Sequence, residues 1–312
     1  MNISKIKLKE VLIEKISEKA QLDKKSSDII IDHYLTAEMA GIKSHGILKL
    51  LWDMNLFVNA VKAKPEILQN KNGELFVNMN GMIGALGIDW LVAQVKKYDL
   101  HSIHYQNLLP YGALFSVAYK LIEKTGKSAF ILNNTDKFMS TEGGHDLIGT
   151  NPFCMALASD PPIIFDMATS KRSMSIAFQA KEQPKSLDNF LPKDTFLDSE
   201  KHFTQTPSNV KYVAPFGEYK GYGLGFMIEL FTQFMFTQKQ SSLLSNTFLS
   251  NGIILTMNTS TYDKFEFRKY ISNLKDRYPG QIAMNTLIDN LSKKDLEIEE
   301  NTSKRLGLDS LN

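Results

Sequence analysis

Two short apolar runs joined by a proline turn, Phe153 to Ala158 and Ile163 to Met167, constrain this chain more than any other stretch. Ser159-Asp160-Pro161-Pro162 separates them, and Asp166 closes the second. Runs of this length bounded by Pro and Asp predict neighbouring strands buried on both faces. Directly afterwards the chain places a carboxylate, a small residue and two hydroxyls, Asp166 to Ser170, at the end of a buried strand. Ligands in α/β proteins collect at such strand ends. The same residues also fit a plain strand end whose Thr169 and Ser170 cap the following helix.

The surrounding pattern alternates. Leu75 to Val77, Ser102 to Gln106, Ser128 to Leu132 and Phe248 to Met257 predict strands. Asp89 to Leu100 and Ala113 to Glu123 predict helices between them, with Gly81, Gly84 and Gly87 punctuating a loop. That alternation marks an α/β layer. Ahead of it the first 65 or so residues read as all-helical. Leu8, Val11, Leu12 and Ile16 share one helical face. Ser26 or Ser27 can cap a second helix that Gly41 stops, and Pro65 ends the region. Lys181 to Asn209 is polar and reads as a surface loop. Tyr262 to Lys275 and Leu291 to Leu306 predict C-terminal helices returning to the N-terminal helical layer. The expected division is therefore 1–70 plus about 262–312 as a helical domain, and 71–261 as an α/β domain.

Two stretches suggest anion sites. Ser44 is placed to cap the third helix, which puts His45 in its first turn and Lys49 one turn further along the same face. Unpaired N–H groups and the helix dipole favour anions there and should disfavour the imidazolium form of His45. A capped helix with an exposed histidine and a solvated lysine fits equally. The second stretch, PFGEYKGYGL from Pro215 to Leu224, is a Gly-rich turn with Lys220 that opens an apolar helix through Phe236. It can hold a phosphate or simply pack closely. No GxGxxG and no GxxxxGK[ST] occurs in the chain, which speaks against Rossmann and P-loop sites.

Totals narrow the classes. A net charge of +2 over 312 residues gives no reason to expect nucleic acid or an anionic membrane as partner. The apolar stretch from Gly223 to Phe236 contains Glu229 and Gln233 and is too short to span a bilayer. Met1 to Lys19 lacks the apolar centre of a signal peptide. Cys154, the one cysteine, sits in an apolar run and reads as a core residue in a reducing, cytoplasmic setting.

Three blocks then make a resemblance: KSHGILKL around His45, GTNP with FDMATS around Asp166, and PFGEYKGYGL around Lys220. In this order and spacing they are similar to the type-2 malate/lactate dehydrogenase family, which includes ureidoglycolate dehydrogenase, diketogulonate reductase and piperideine-carboxylate reductase. The resemblance implies an α/β (α+β) architecture, a helical domain packed on a mixed-sheet domain, and a non-Rossmann dinucleotide site. It implies a homodimer that uses NAD or NADP and moves hydride to or from a small 2-oxo or 2-hydroxy acid, or a cyclic imine carboxylate. By the same resemblance His45 is the proton donor, and Ser44, Lys49 and Asn107 bind the substrate carboxylate. Thr135, Asp166, Met167, Ala168, Thr169, Ser170, Tyr219 and Lys220 contact the dinucleotide, and no metal is involved.

The chain departs from that family at several points. Lys49 stands where arginine is usual, so a bidentate carboxylate contact becomes a point contact. Pro110 stands where a second histidine accepts protons in some members, and proline cannot exchange them. Glu218 replaces a glycine before the KG turn. The family's PGE block is not recognisable near Asn285-Thr286-Leu287, and the polar insertion is shorter than usual. These departures admit an alternative expectation: a catalytically degenerate dimer kept for binding or scaffolding.

Overall fold

The structure is a computed structural model and describes residues 2–58, 60, 63–144, 148–182, 191–234, 248–258, 263–277, 291, 295–298 and 300–308. The family PGE position at 285–287 lies outside them, as do the end of the helix at 235–236 and residues 183–190 of the polar segment.

Three helices open the chain after a short strand β1 (Asn2–Ser4): α1 (Lys5–Ala20), α2 (Lys24–Met39) and α3 (Ile47–Phe57). Leu8, Leu12 and Ile16 recur at intervals of four and all face inward with no exposure, so α1 is fixed by one apolar stripe. Each such side chain contributes about 1.5–3 kcal/mol by leaving water. Neither Ser26 nor Ser27 caps α2. Asp23 does, accepting from the Ser26 N–H at 2.7 Å, and Ser27 is buried. An aspartate three residues earlier offers a charged acceptor to the same unpaired amides.

The α/β layer comprises β2 (Glu66–Lys71), β3 (Glu74–Asn78), α4 (Gly84–Tyr98), β4 (Ser102–Leu108), α5 (Leu114–Thr125), β5 (Ser128–Asn133), β6 (Phe153–Leu157) and β7 (Ile163–Met167). One later strand, β10 (Ser250–Met257), joins them in a sheet ordered β2-β3-β4-β10-β5-β6-β7. Only β3 and β4 pair in parallel. The remaining pairs are antiparallel, which separates the sheet from a Rossmann layer. β2 had no periodic signal because all six of its residues are exposed on a sheet edge. Gly84 belongs to α4 rather than to a loop. A Cβ there would lie 2.4 Å from the Leu109 carbonyl and 2.5 Å from that of Pro110, so glycine lets α4 begin against the 109–111 backbone.

The expectation that β6 and β7 are buried on both faces is corrected. Cys154, Ala156 and Ile164 point into the core beneath α5, but Met155, Leu157 and Phe165 on the opposite face are 52%, 44% and 45% exposed. Helices α4 and α5 cover one side of this sheet; on the other side Phe153 and Ile253 are buried, whereas Met155, Leu157 and Phe165 are open. Cys154 is a buried thiol whose pKa burial raises, as a core residue requires.

The last part of the chain holds α6 (Met174–Glu182), the small pair β8 (Phe196–Leu197) and β9 (Tyr212–Val213), α7 (Tyr219–Phe234), α8 (Lys264–Arg277), β11 (Asp295–Glu297) and α9 (Glu300–Leu306). The segment expected as a polar loop contains β8, whose Phe196 packs against α6 and whose Leu197 is also buried. In the segment from 291, expected as one helix, Asp295–Glu297 forms strand β11, paired to β1, ahead of α9. Leu296, Ile298, Leu306 and Leu308 join the core of α1, α2 and α3. α8 does not; Arg268 on it pairs with Asp160 in the β6–β7 turn.

Candidate active site

The turn bearing the histidine is a short 3-10 segment, Lys43–His45, between α2 and α3. Ser44, expected at the N-cap of α3, is not there. Gly46 is the cap residue and has no side chain to offer. Its job is done from α2, where Glu38 Oε2 accepts from the Ile47 N–H at 2.9 Å. The Ser44 hydroxyl lies instead 2.9 Å from His45 Nδ1. Burial pushes the His45 pKa down to about 4, with the nearby Lys49 charge as second cause. The expected depression is present, but desolvation produces it rather than helix N–H groups.

Lys49 is committed elsewhere. Its Nζ donates to Asp53 Oδ1 one turn on, and Asp53 Oδ2 accepts from Tyr34 OH at 2.5 Å. Asp53 is 3% exposed, and burial raises its pKa despite the attraction of Lys49. An incoming carboxylate must compete with Asp53 for that ammonium.

Asp166 closes β7 and reaches across to α5. Its Oδ2 accepts from the Phe115 N–H at 2.8 Å, doing for α5 what Ala113 at the cap position cannot. Burial raises its pKa to about 6, although the Phe115 and Leu114 amides oppose this. Tyr111 lies close to the carboxylate, and burial holds its phenol protonated. The Tyr111 and Tyr105 hydroxyls are 2.8 Å apart, and Tyr105 donates to Asn133 Oδ1 at 2.8 Å.

These elements surround a cleft of about 1250 Å³. Ser44, His45, Lys49, Thr135, Asp166, Met167, Ala168 and Ser170 line it. Asn107, Thr169, Tyr219 and Lys220 do not. Asn107 is buried at the end of β4, where its side chain donates to Asn78 Oδ1 and its N–H to Asn251 Oδ1. Thr169 is buried too and donates to the Thr150 carbonyl at 3.0 Å. Tyr219 and Lys220 are exposed at the start of α7. Gly221 of that turn serves close packing, because a Cβ on it would meet the Phe216 carbonyl at 2.2 Å and that of Thr169 at 2.7 Å, whereas Gly223 has open space around it.

The cleft also holds residues that the sequence did not single out: Trp52, Asn133, Asn134, Arg172 and Phe178. Trp52 sits three residues beyond Lys49, so helical spacing was enough to find it. Asn133 ends strand β5 and Asn134 follows it, the kind of position where ligand contacts collect. Trp52 on α3 and Phe178 on α6 meet edge to face, 6.2 Å between ring centres. Ligand pockets of a drug-sized molecule run to about 1,000 Å³, so this cleft has room for a small acid beside a larger cofactor. Aromatic walls with amide, hydroxyl and cationic groups between them fit the flat rings and phosphates of a dinucleotide.

The family model described as malate/L-lactate dehydrogenase matches residues 4–285. The chain is 25% identical over 232 residues to an L-sulfolactate dehydrogenase of Methanothermobacter thermautotrophicus, covering 70% of this chain and 66% of that protein. It is 26% identical over 236 residues to a Delta(1)-pyrroline-2-carboxylate reductase of Agrobacterium fabrum, covering 72% and 67%. These matches thus span about two thirds of the relatives' length. Among solved structures, a dehydrogenase from Sinorhizobium meliloti superposes with a TM-score of 0.84 at 19% identity, covering 99% of this chain and 97% of that one, which shows the shared fold.

Proposed function

Since the chain belongs to the malate/L-lactate dehydrogenase family, we propose that it is a nicotinamide-dependent oxidoreductase acting on a small 2-oxo or 2-hydroxy acid, or on a cyclic imine carboxylate. The observation that supports this most is one cleft lined by both a neutral imidazole, His45, and a carboxyl group that titrates near neutrality, Asp166. A neutral imidazole can accept or relay a proton, and a carboxyl group raised to about 6 is partly protonated near neutral pH. NAD or NADP, when bound, delivers or accepts the hydride. The protein's part is to place the acid and manage one proton. In the oxidising direction neutral His45 accepts the proton. In reduction its N–H passes to the oxygen or nitrogen of the reduced carbon while Nδ1 takes a proton from the Ser44 hydroxyl, which solvent replaces, so the imidazole stays neutral and changes tautomer. Asp166 stands second to it. Thr135 and Ser170, with the Met167-Ala168 backbone, are assigned to the cofactor. Asn107, Thr169, Tyr219 and Lys220 are assigned there or to the substrate by resemblance alone.

A non-catalytic reading is kept for one reason: Pro110 lines the cleft where a proton acceptor stands in some relatives. Nicotinamide fluorescence separates the two. Added protein is expected to perturb the emission of NADH, NADPH or both, and no change with either at millimolar concentration ends the dehydrogenase reading.

The same proposal includes a homodimer. Met155, Leu157, Phe165, Leu255 and Met257 expose a continuous apolar sheet face, and α7 exposes Phe226, Met227, Phe231 and Phe234 nearby. Soluble monomers rarely leave such an area open. Light scattering is expected to give twice the chain mass, and Phe165→Asp to lower it to that of one chain. A single-chain mass for the unaltered protein ends the dimer proposal.

A further inference from the structure

Four basic side chains among the described residues line the cleft: Lys49, Lys171, Arg172 and Lys181. Three are engaged. Lys49 is paired with Asp53. Lys171 is paired with Asp194 and also donates to the Asp194 carbonyl at 3.1 Å. Lys181 donates to the Val210 carbonyl at 2.8 Å and lies 5.7 Å from the centre of the Phe178 ring. Arg172 differs. Among the described residues its guanidinium has no ion pair and no hydrogen bond, and the residue is exposed.

The backbone beneath it is fixed from both sides. Ser170 Oγ donates to the Arg172 carbonyl at 2.8 Å. The Lys171 N–H donates to the Ala214 carbonyl at 2.8 Å, and Ser170 bridges to Pro215. A guanidinium free at its head on a pinned backbone loses little backbone entropy when it takes a partner. Its planar fork matches two oxygens of a carboxylate or a phosphate, which an ammonium cannot do.

Resting on the dehydrogenase reading, we propose that Arg172, rather than Lys49, holds the anionic group of the bound ligand, a carboxylate of the acid or a phosphate of the dinucleotide. The arginine that is usual at the Lys49 position then has its counterpart in the turn between β7 and α6.

The test compares the unaltered protein with Arg172→Gln and Arg172→Lys. Dissociation constants for NADH and NADPH come from nicotinamide fluorescence, and for oxalate, a small dianion, from calorimetry. Removing a hydrogen bond to a charged group costs ~1.5–3 kcal/mol, so Arg172→Gln is expected to weaken at least one of the three by roughly ten- to a hundredfold. Arg172→Lys should recover part of that loss. A loss for oxalate alone identifies the substrate carboxylate. A loss for NADPH alone identifies a 2′-phosphate, and an equal loss for both dinucleotides a shared phosphate. Equal affinities for all three in Arg172→Gln overturn the proposal, because the arginine is then a solvated surface charge. An unaltered protein that binds oxalate but neither dinucleotide overturns the dehydrogenase reading instead, while the oxalate arm still decides Arg172. Binding of none of the three overturns both. Thermal melting should be unchanged in Arg172→Gln, since no packed partner is lost.

Discussion

His45→Ala is expected to lower turnover by at least about a hundredfold, the usual scale for losing a general acid or base. The loss should appear in kcat, because His45 is proposed to move the proton rather than to hold the acid's carboxylate. The pH dependence follows from its surroundings. With a pKa pushed down to about 4, His45 is neutral throughout the range in which enzymes are ordinarily assayed. A titration near 6.5 is therefore not expected from this residue. In the oxidising direction the neutral form must accept the proton, so kcat/KM should begin to fall only as pH approaches 4. Initial rates in both directions, measured from pH 4 to 9 for His45→Ala and the unaltered enzyme, decide the matter. A variant that keeps more than a tenth of its turnover would place the proton on Asp166, Tyr111 or water.

How far this site was legible from the sequence varied with the range of the interactions. The strand ends at Asp166 and the turn at His45 were visible because periodicity and breakers are local. Strand identity at β6 was legible, but its second face was not. Met155 and Leu157 are apolar although α5 covers only the side of Cys154 and Ala156, and an apolar run cannot say what covers its other side. The cap of α3 was misplaced because its acceptor, Glu38, comes from the preceding helix nine residues back. The pairing of Lys49 was open to view, since Asp53 stands four residues on, a spacing that brings helical side chains together. Asp166 was singled out for the dinucleotide, yet its bond to Phe115 joins residues 51 apart and no spacing rule reports it. Arg172 was passed over because an arginine beside a lysine looks like any solvated charge; only the engagement of the other three cations of the cleft distinguishes it.

Asp166→Asn is expected to raise stability at pH 8 while lowering the rate of reduction. The carboxyl pKa is raised from the usual 3.8 to about 6, chiefly by burial. A group raised in the folded state stabilises it below the unfolded value and loses that contribution as pH rises through the folded value. The native protein therefore carries a penalty above pH 6 of about 3 kcal/mol at most, at 1.36 kcal/mol per pKa unit. Asparagine keeps an oxygen to accept the Phe115 N–H, so the cap on α5 survives and the buried charge goes. Loss of the charge-assisted bond returns some of the gain, leaving about 1–2 kcal/mol. Urea unfolding at pH 8 and pH 4.5 measures it, with the advantage of the variant shrinking toward the lower pH, where the native carboxyl is protonated. The reductive rate supplies the second signature. On the proposal that protonated Asp166 supplies a proton in the cleft, kcat/KM for reduction should decline above pH 6 in the unaltered enzyme, and that decline should vanish in the variant together with much of the rate. An asparagine variant that is less stable by the same amount at both pH values would show instead a carboxylate well satisfied as an anion by the amides of α5. Its place in the cleft would then be structural, with the proton left to His45 alone.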